Sequence, residues 1–451
     1  MKKSITILAV AAMVASCNVN IDSVEETGKM TEQAISFSAY LNRGVTSKAG
    51  AAGELTTAGL QAATAGFGVF AYYTADEPYT GVAGPSFMYN EKVTYSGGNW
   101  IYEPVKYWPN EFGAAAGSDE IDRLTFFTYA PYVEVTPSNG MVTGDNASGI
   151  AALSRNSVGG DPLVKYIVNM DPGSGVDLCW GVSKSGLTAS VDGNNNHVAA
   201  GAPYIDVVKT KLGDKIEFDF HHALSALNVQ IDAAVDATTA GTDVDANTRI
   251  FVRSVSFEGL ATKGALNLNS TVAAGPLWTD FSGTGAPLAE VLTVYDGRRD
   301  SKEGVEGAEA RNETPTGLNP VLVQSKPYSS ADLSVGVTKT VVNLFNSTTA
   351  TASVFVIPTS EPLKVTIVYD VETRDDKLST LLSDGVTHGS TVENSISKTI
   401  QMGGTDFTLE AGKKYTIAMH IGLTSVKFDA SVSNWDDSAA NTNLDVPQNA
   451  N

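Results

Sequence analysis

The chain is poor in cysteine, histidine and positive charge. Its 451 residues include 2 Cys and 5 His. That is too little cysteine for a disulfide framework or a Cys-rich zinc or iron–sulfur site, and little histidine for a metalloenzyme. Lys and Arg total 30 against 50 Asp and Glu, a formal net charge of −20. A nucleic-acid partner calls for a basic face that releases phosphate counterions, so none is expected. Beyond the N-terminus no apolar run reaches the roughly 18 residues of a membrane-spanning helix. Catalytic signatures are missing as well: there is no H-E-x-x-H, P-loop or G-x-S-x-G. Gly181-Val182-Ser183-Lys184-Ser185-Gly186 misses the nucleophile elbow by one position. No enzyme activity and no cofactor are expected.

Hydrophobic residues make up 42% and charged residues 18%, enough for a large core and too apolar for a disordered chain. The first residues read as a targeting segment. Lys2 and Lys3 precede an apolar run, Ile5 to Val14, which has signal-peptide length and is too short to span a bilayer. Val14-Ala15-Ser16-Cys17 then resembles a lipoprotein box, in which a small residue precedes a Cys that is lipidated and becomes the mature N-terminus. Residues 1–16 are thus expected to be a lipoprotein signal peptide, Cys17 the lipid-bearing residue, and 17–34 a flexible, acidic tether. An ordinary secretory signal with a chance Cys is the plainer alternative. Cys179 is then alone, and in an exported chain it is expected to be buried.

From residue 35 the pattern has period two. Ile35, Phe37, Ala39 and Leu41 fall on one face of a strand, with Ser36, Ser38, Tyr40 and Asn42 on the other. Arg43 follows, and then a stretch rich in Gly, Ala and Thr. Gly97-Gly98 is a hairpin turn between two strands. Leu124 to Ala130 is a strongly apolar strand stopped by Pro131, and residues 133–200 are looser. Only Leu55 to Ala65 suggests a short helix. A second block opens near Lys215 with Ile216, Phe218 and Phe220, then Leu224 to Ile231, Ile250 to Leu260, Ser353 to Ile357, Leu363 to Val371, Lys414 to Leu423 and Val426 to Val432. Residues 272–335 read as a long polar insert. The expected fold is all-β, two β-sandwiches in tandem, one over 35–212 and one from 213 to 451.

Several segments together resemble the fimbrillin family of Bacteroidia-type (type V) pili. They are the box at Cys17, Ile35-Ser36-Phe37 running into Arg43, FDFHHALSALNVQI over 218–231, IFVRSVSFEGLATKGALNL over 250–268, Phe355-Val356-Ile357-Pro358, and LEAGKKYTIAMHIGLTSVKFDASVSNW over 409–435. Their order is the specific part. The resemblance implies two transthyretin-like β-sandwiches, export as a lipoprotein to the outer membrane and cell surface, and a role as a pilus subunit. It also implies that an arginine-specific protease removes the first strand, after which a neighbouring subunit's strand fills the groove. Here the removable strand would be Ile35 to Leu41 and the cut would fall at Arg43-Gly44. The plainer reading is that Arg43 ends a permanent strand. Val426, Phe428, Ala430 and Val432 alternate on the candidate donor strand. If that strand belongs to its own domain, the subunit has nothing to donate and is a tip or an anchor. Partners would be other pilus subunits, the outer membrane through lipid, and a surface glycan or protein receptor.

Other candidate sites have plainer readings. His221-His222 point to opposite faces of a strand and cannot chelate together. Asp243, Asp245 and Asn247 start like a calcium loop but continue with Thr248 and Ser254 where Gly and Glu are needed. Trp100, Tyr102, Tyr107 and Trp108 could form a sugar-stacking platform, although core packing is the commoner use. The competing functions are a surface glycan-binding lipoprotein and, last, a surface hydrolase.

Overall fold

The computed structural model describes residues 34–41, 55–62, 66–75, 77–109, 122–143, 149–169, 175–184, 198–207, 215–233, 248–287, 289–296, 321–322, 342–344, 353–382, 387–402, 405–421, 426–434 and 442–444. In chain order its elements begin with β1 Phe37–Leu41, α1 Thr57–Leu60, β2 Phe67–Ala75, β3 Met88–Ser96, β4 Asn99–Ile101, β5 Arg123–Ala130, β6 Ile150–Leu153, β7 Leu163–Ile167, β8 Cys179–Ser183, β9 Tyr204–Val207 and β10 Ile216–His222. They continue with β11 Ser225–Ala233, β12 Thr248–Ala261, β13 Lys263–Asn267, β14 Leu277–Thr279, β15 Ala289–Asp296, β16 Val321–Leu322, β17 Val342–Asn343 and β18 Val354–Val356. The last are β19 Lys364–Arg374, β20 Gly389–Thr399, β21 Gln401–Met402, β22 Thr405–Asp406, β23 Lys413–Ile421, β24 Val426–Asn434 and β25 Thr442–Leu444. The all-β sandwich expectation holds.

The N-terminal half is organised by one sheet in the order β1-β10-β8-β5-β2-β3-β4, with β9 beside β5. β5 and β8 are buried on both faces almost throughout, as is β2 over its first six residues. This is why Leu124 to Ala130 reads as a near-continuous apolar run instead of an alternation. One face carries Phe70, Tyr72, Phe127, Tyr129 and Trp180 and packs on a second sheet, β14-β13-β7-β6. The other face carries Phe67, Val69, Leu124, Phe126, Phe218 and Phe220 and encloses a separate core. The sheet curls until its two ends meet: Ile35 N donates to Lys106 O at 2.9 Å, just beyond β4. Gly181 is required in the middle of β8, because a Cβ there would lie 2.4 Å from Thr128 Cγ2 and 3.1 Å from the Phe220 ring. The β3–β4 turn uses Gly97 and Gly98, at φ of 57° and 88°.

The C-terminal sandwich packs β17-β11-β23-β24-β25, with β18 beside β11, on β15-β12-β19-β20, with β16 beside β12. Leu227, Val229, Ile417 and Met419 from the first sheet meet Val255, Phe257, Val365 and Ile367 from the second. β11 and β23 run parallel.

Several expectations are corrected. Ile216 to His222, expected to open the second sandwich, belongs to the first sheet, paired with β1 on one side and β8 on the other. Alternation shows that one face is buried but not against which sheet. The looser stretch 133–200 holds β6, β7 and β8, and the polar insert begins with β14 and β15. β12 continues through Thr262 into β13, which pairs with β7 of the N-terminal half from Lys263↔Ile167 to Asn267↔Leu163. β18 divides its side chains between the cores: Val354 and Val356 face one, Phe355 the other. The halves therefore share a joint rather than a linker. The helix is four residues long, capped by Thr56, whose Oγ1 accepts from Gly59 N at 3.0 Å. The 243–247 loop lies outside the described residues. Among those residues no helix is long and apolar enough to cross a membrane.

Leu266 is distant in sequence from β6 and β7 yet buried with them. Leu266→Ala should cost about 2–5 kcal/mol. Hydrogen exchange should show lost protection in β6 and β7 as well as β13; a loss confined to the C-terminal sandwich would contradict this pairing.

Candidate functional site

β1 is the end strand of its sheet. It pairs in parallel with β10, from Phe37↔Ile216 to Leu41↔Phe220. Ile35, Phe37, Ala39 and Leu41 point into the enclosed core and are 2%, 2%, 1% and 7% exposed. The Phe37 ring stacks on Phe218 at 5.9 Å between centroids, meets Phe67 and Phe126 edge-on, and lies 5.3 Å from Tyr102. The outward face is not open as alternation suggested: Ser38 is buried, and Ser36 and Tyr40 are half-buried.

Two side chains clasp the strand. Tyr102 OH donates to Ile35 O at 2.8 Å and accepts from Lys106 N at 3.2 Å. Thr57 Oγ1, on α1, donates to Leu41 O at 3.2 Å. Both lie downstream of Arg43, so a cut there would separate β1 from the groove and from both clasps. Burial pushes the Tyr102 phenol up to about 12. A phenol titrating higher in the folded than in the unfolded chain stabilises fully below the unfolded value, 10.0, and the contribution declines as pH rises toward the folded value.

The remaining sequence candidates divide. Cys17, Arg43 and Gly44 lie outside the described residues. β24 forms a nine-residue antiparallel ladder with β23, Lys413↔Asn434 to Ile421↔Val426. Val426 and Ala430 are buried there and Val432 partly buried against the same core; Phe428 lies on the strand, and its side chain is outside the described ones. β24 is thus an inner strand of its own domain, with β25 on its far side. Trp108 is buried beside Phe126, and half-buried Trp100 packs on Phe67 and Tyr95. With Tyr102 against Phe37, three of the four platform aromatics serve the core; Tyr107 is 47% exposed. An open cleft of about 470 Å³ lies elsewhere, walled by Trp278, Pro276 and Pro287 and carrying Glu361 and Glu410.

A cluster that sequence reading missed sits at the end of β8 and β10. His222 Nδ1 lies 2.5 Å from Asp177 Oδ2, and Cys179 Sγ lies 3.6 Å from that nitrogen and 3.8 Å from that oxygen. Cys179 and His222 are cross-strand partners, and Asp177 shares the face of Cys179 two residues earlier. Leu55 N donates to Asp177 Oδ2 at 3.2 Å. All three residues are buried, as expected for Cys179. His221 points the other way and is half-buried, as adjacent strand residues must. Asp and Cys address the same ring nitrogen, so the imidazole cannot relay a proton between them as in a catalytic triad.

No family model matches the chain. The fimbrium subunit Fim1C of Phocaeicola vulgatus (strain ATCC 8482) is 30% identical over 160 residues, 34% of this chain and 38% of that protein. The match thus spans well under half of that relative's length. A fimbrial protein from Bacteroides vulgatus ATCC 8482, known from a crystal structure, aligns over 89% of this chain and 99% of its own at a TM-score of 0.52 and 20% identity. That likeness speaks for the fold. Over its 160 residues the match to the fimbrium subunit bears out the resemblance to the fimbrillin family.

A Tyr102→Phe variant should lie below the wild type in urea-unfolding stability at neutral pH. The gap should close between about pH 10 and pH 12 as the wild-type phenol ionises. A gap unchanged at pH 12 would contradict the clasp.

Proposed function

We propose that this chain is a non-catalytic, structural and adhesive subunit of a cell-surface pilus. The observation that carries the reading is β1: an apolar end strand, joined by main-chain bonds to β10, filling a groove whose walls and clasps all follow Arg43. Strand addition works on this physics, with main-chain bonds for affinity and alternate side chains in pockets. The likeness to a fimbrium subunit and to a fimbrial protein, neither named as an enzyme, supports it. In this reading the chain is exported with lipid on Cys17 and cut between Arg43 and Gly44, and a neighbouring subunit's strand replaces β1. Because β24 is built into its own sheet, it is not available for donation, which favours a tip or anchor position. Surface glycans or proteins are the receptor classes it would meet. A glycan-binding lipoprotein is the second reading, favoured by the cleft beside Trp278, Glu361 and Glu410. Sugar binding separates the two.

Protein sheared from the producing cells should begin at Gly44 and run as ladders with its neighbours. Arg43→Ala should leave a lipidated chain beginning at Cys17 and no ladder. Wild-type protein that keeps residues 35–41 in the sheared fraction would overturn the polymerising role.

A further inference from the structure

We infer that Asp177, Cys179 and His222 form a binding site for a single zinc-class divalent cation inside the N-terminal sandwich. The set offers one thiolate, one imidazole and one carboxylate, the ligand types zinc takes. The three donor atoms lie within 4.8 Å of one another. Tetrahedral zinc, with bonds of roughly 2.0–2.3 Å, places neighbouring donors about 3.3–3.6 Å apart. Sγ to Nδ1 at 3.6 Å and Sγ to Oδ2 at 3.8 Å are already near that spacing. Only Nδ1 and Oδ2, at 2.5 Å, must part, by about 1 Å, as the ion replaces the hydrogen bond between them.

An independent observation points the same way. Asp177 Oδ1 is buried and has no hydrogen-bond partner among the described residues. A buried carboxylate oxygen left unpaired is costly. Coordination of a cation by this carboxylate would offset that cost, with water as the fourth ligand of a tetrahedral site. The register holds the ligands on one face: Cys179 opposite His222 across the β8–β10 ladder, Asp177 two residues before Cys179. Leu55 N, just ahead of α1, hydrogen-bonds Oδ2 and orients the carboxylate. The cation would thus tie β8 and β10 to the segment that clasps β1. Binding releases the thiol proton and leaves Nδ1 without a proton, so affinity rises with pH.

The full chain, purified and dialysed against EDTA, is titrated with Zn²⁺ and with Co²⁺. We expect one ion per chain, a higher Tm with Zn²⁺, and intense near-ultraviolet thiolate-to-cobalt absorption. Cys179→Ser should abolish that absorption and weaken binding about tenfold or more, whereas His221→Ala should change neither. If Cys179→Ser does not fold, the wild-type spectrum decides. A Co²⁺ adduct without thiolate absorption, or no Zn²⁺-dependent rise in Tm, overturns the site.

Discussion

The structure depends on how one end strand is held. β1 contributes five residues to a parallel pairing on one side and, with Ile35 just before it, four apolar side chains to a core that the rest of the sheet curls around. A parallel end strand is not fixed by a tight turn to its partner, as a hairpin strand is. β1 and β10 are far apart in sequence, and what joins them is burial and main-chain bonding. Fully burying Ile35, Phe37 and Leu41 is worth about 1.5–3 kcal/mol for each side chain. That gain belongs to any strand with the same spacing of side chains, which makes the position exchangeable in principle.

The rest of the N-terminal half keeps the groove in shape. β2, β5 and β8 lie between two cores, so neither of their faces can shift without repacking both. The outer core is completed by β13, β14 and β18 from the later part of the chain. The groove therefore rests on a scaffold to which both halves contribute, and loss of β1 would expose one core while leaving the other intact. The Asp177–Cys179–His222 cluster lies at the end of β10, the strand that receives β1 on its other edge.

Local structure was legible in the sequence and long-range pairing was not. The alternation of Ile35 to Leu41 and Ile216 to Phe220 marked true strands with the inward residues correctly assigned, and the segment Lys414 to Leu423 held most of β23. Gly97-Gly98 marked its hairpin. The same alternation could not reveal that Ile216 to His222 joins the first sheet, because period two shows a buried face and not its partner. β20, GSTVENSISKT, has only Val392 and Ile396 as large apolar residues and escaped notice; as an end strand lying on β19 it packs Ile396 against the core and leaves Val392 exposed. β25 lies in a tail whose composition promised no strand. The buried cluster joins residues 45 positions apart. Its only local traces were Asp177-x-Cys179 and a His on the inward phase of an alternating strand.

An interchangeable strand in the groove has a consequence that can be read from the shortened chain. The direct measurement is thermal unfolding and hydrogen exchange of a chain that begins at Gly44, with and without a peptide spanning Ala34 to Asn42. Without peptide, the shortened chain should lose protection along β10 and melt lower. The peptide restores both, and the same peptide carrying Phe37→Ala does not. A shortened chain as stable and as protected as the full one, with no peptide added, would contradict it.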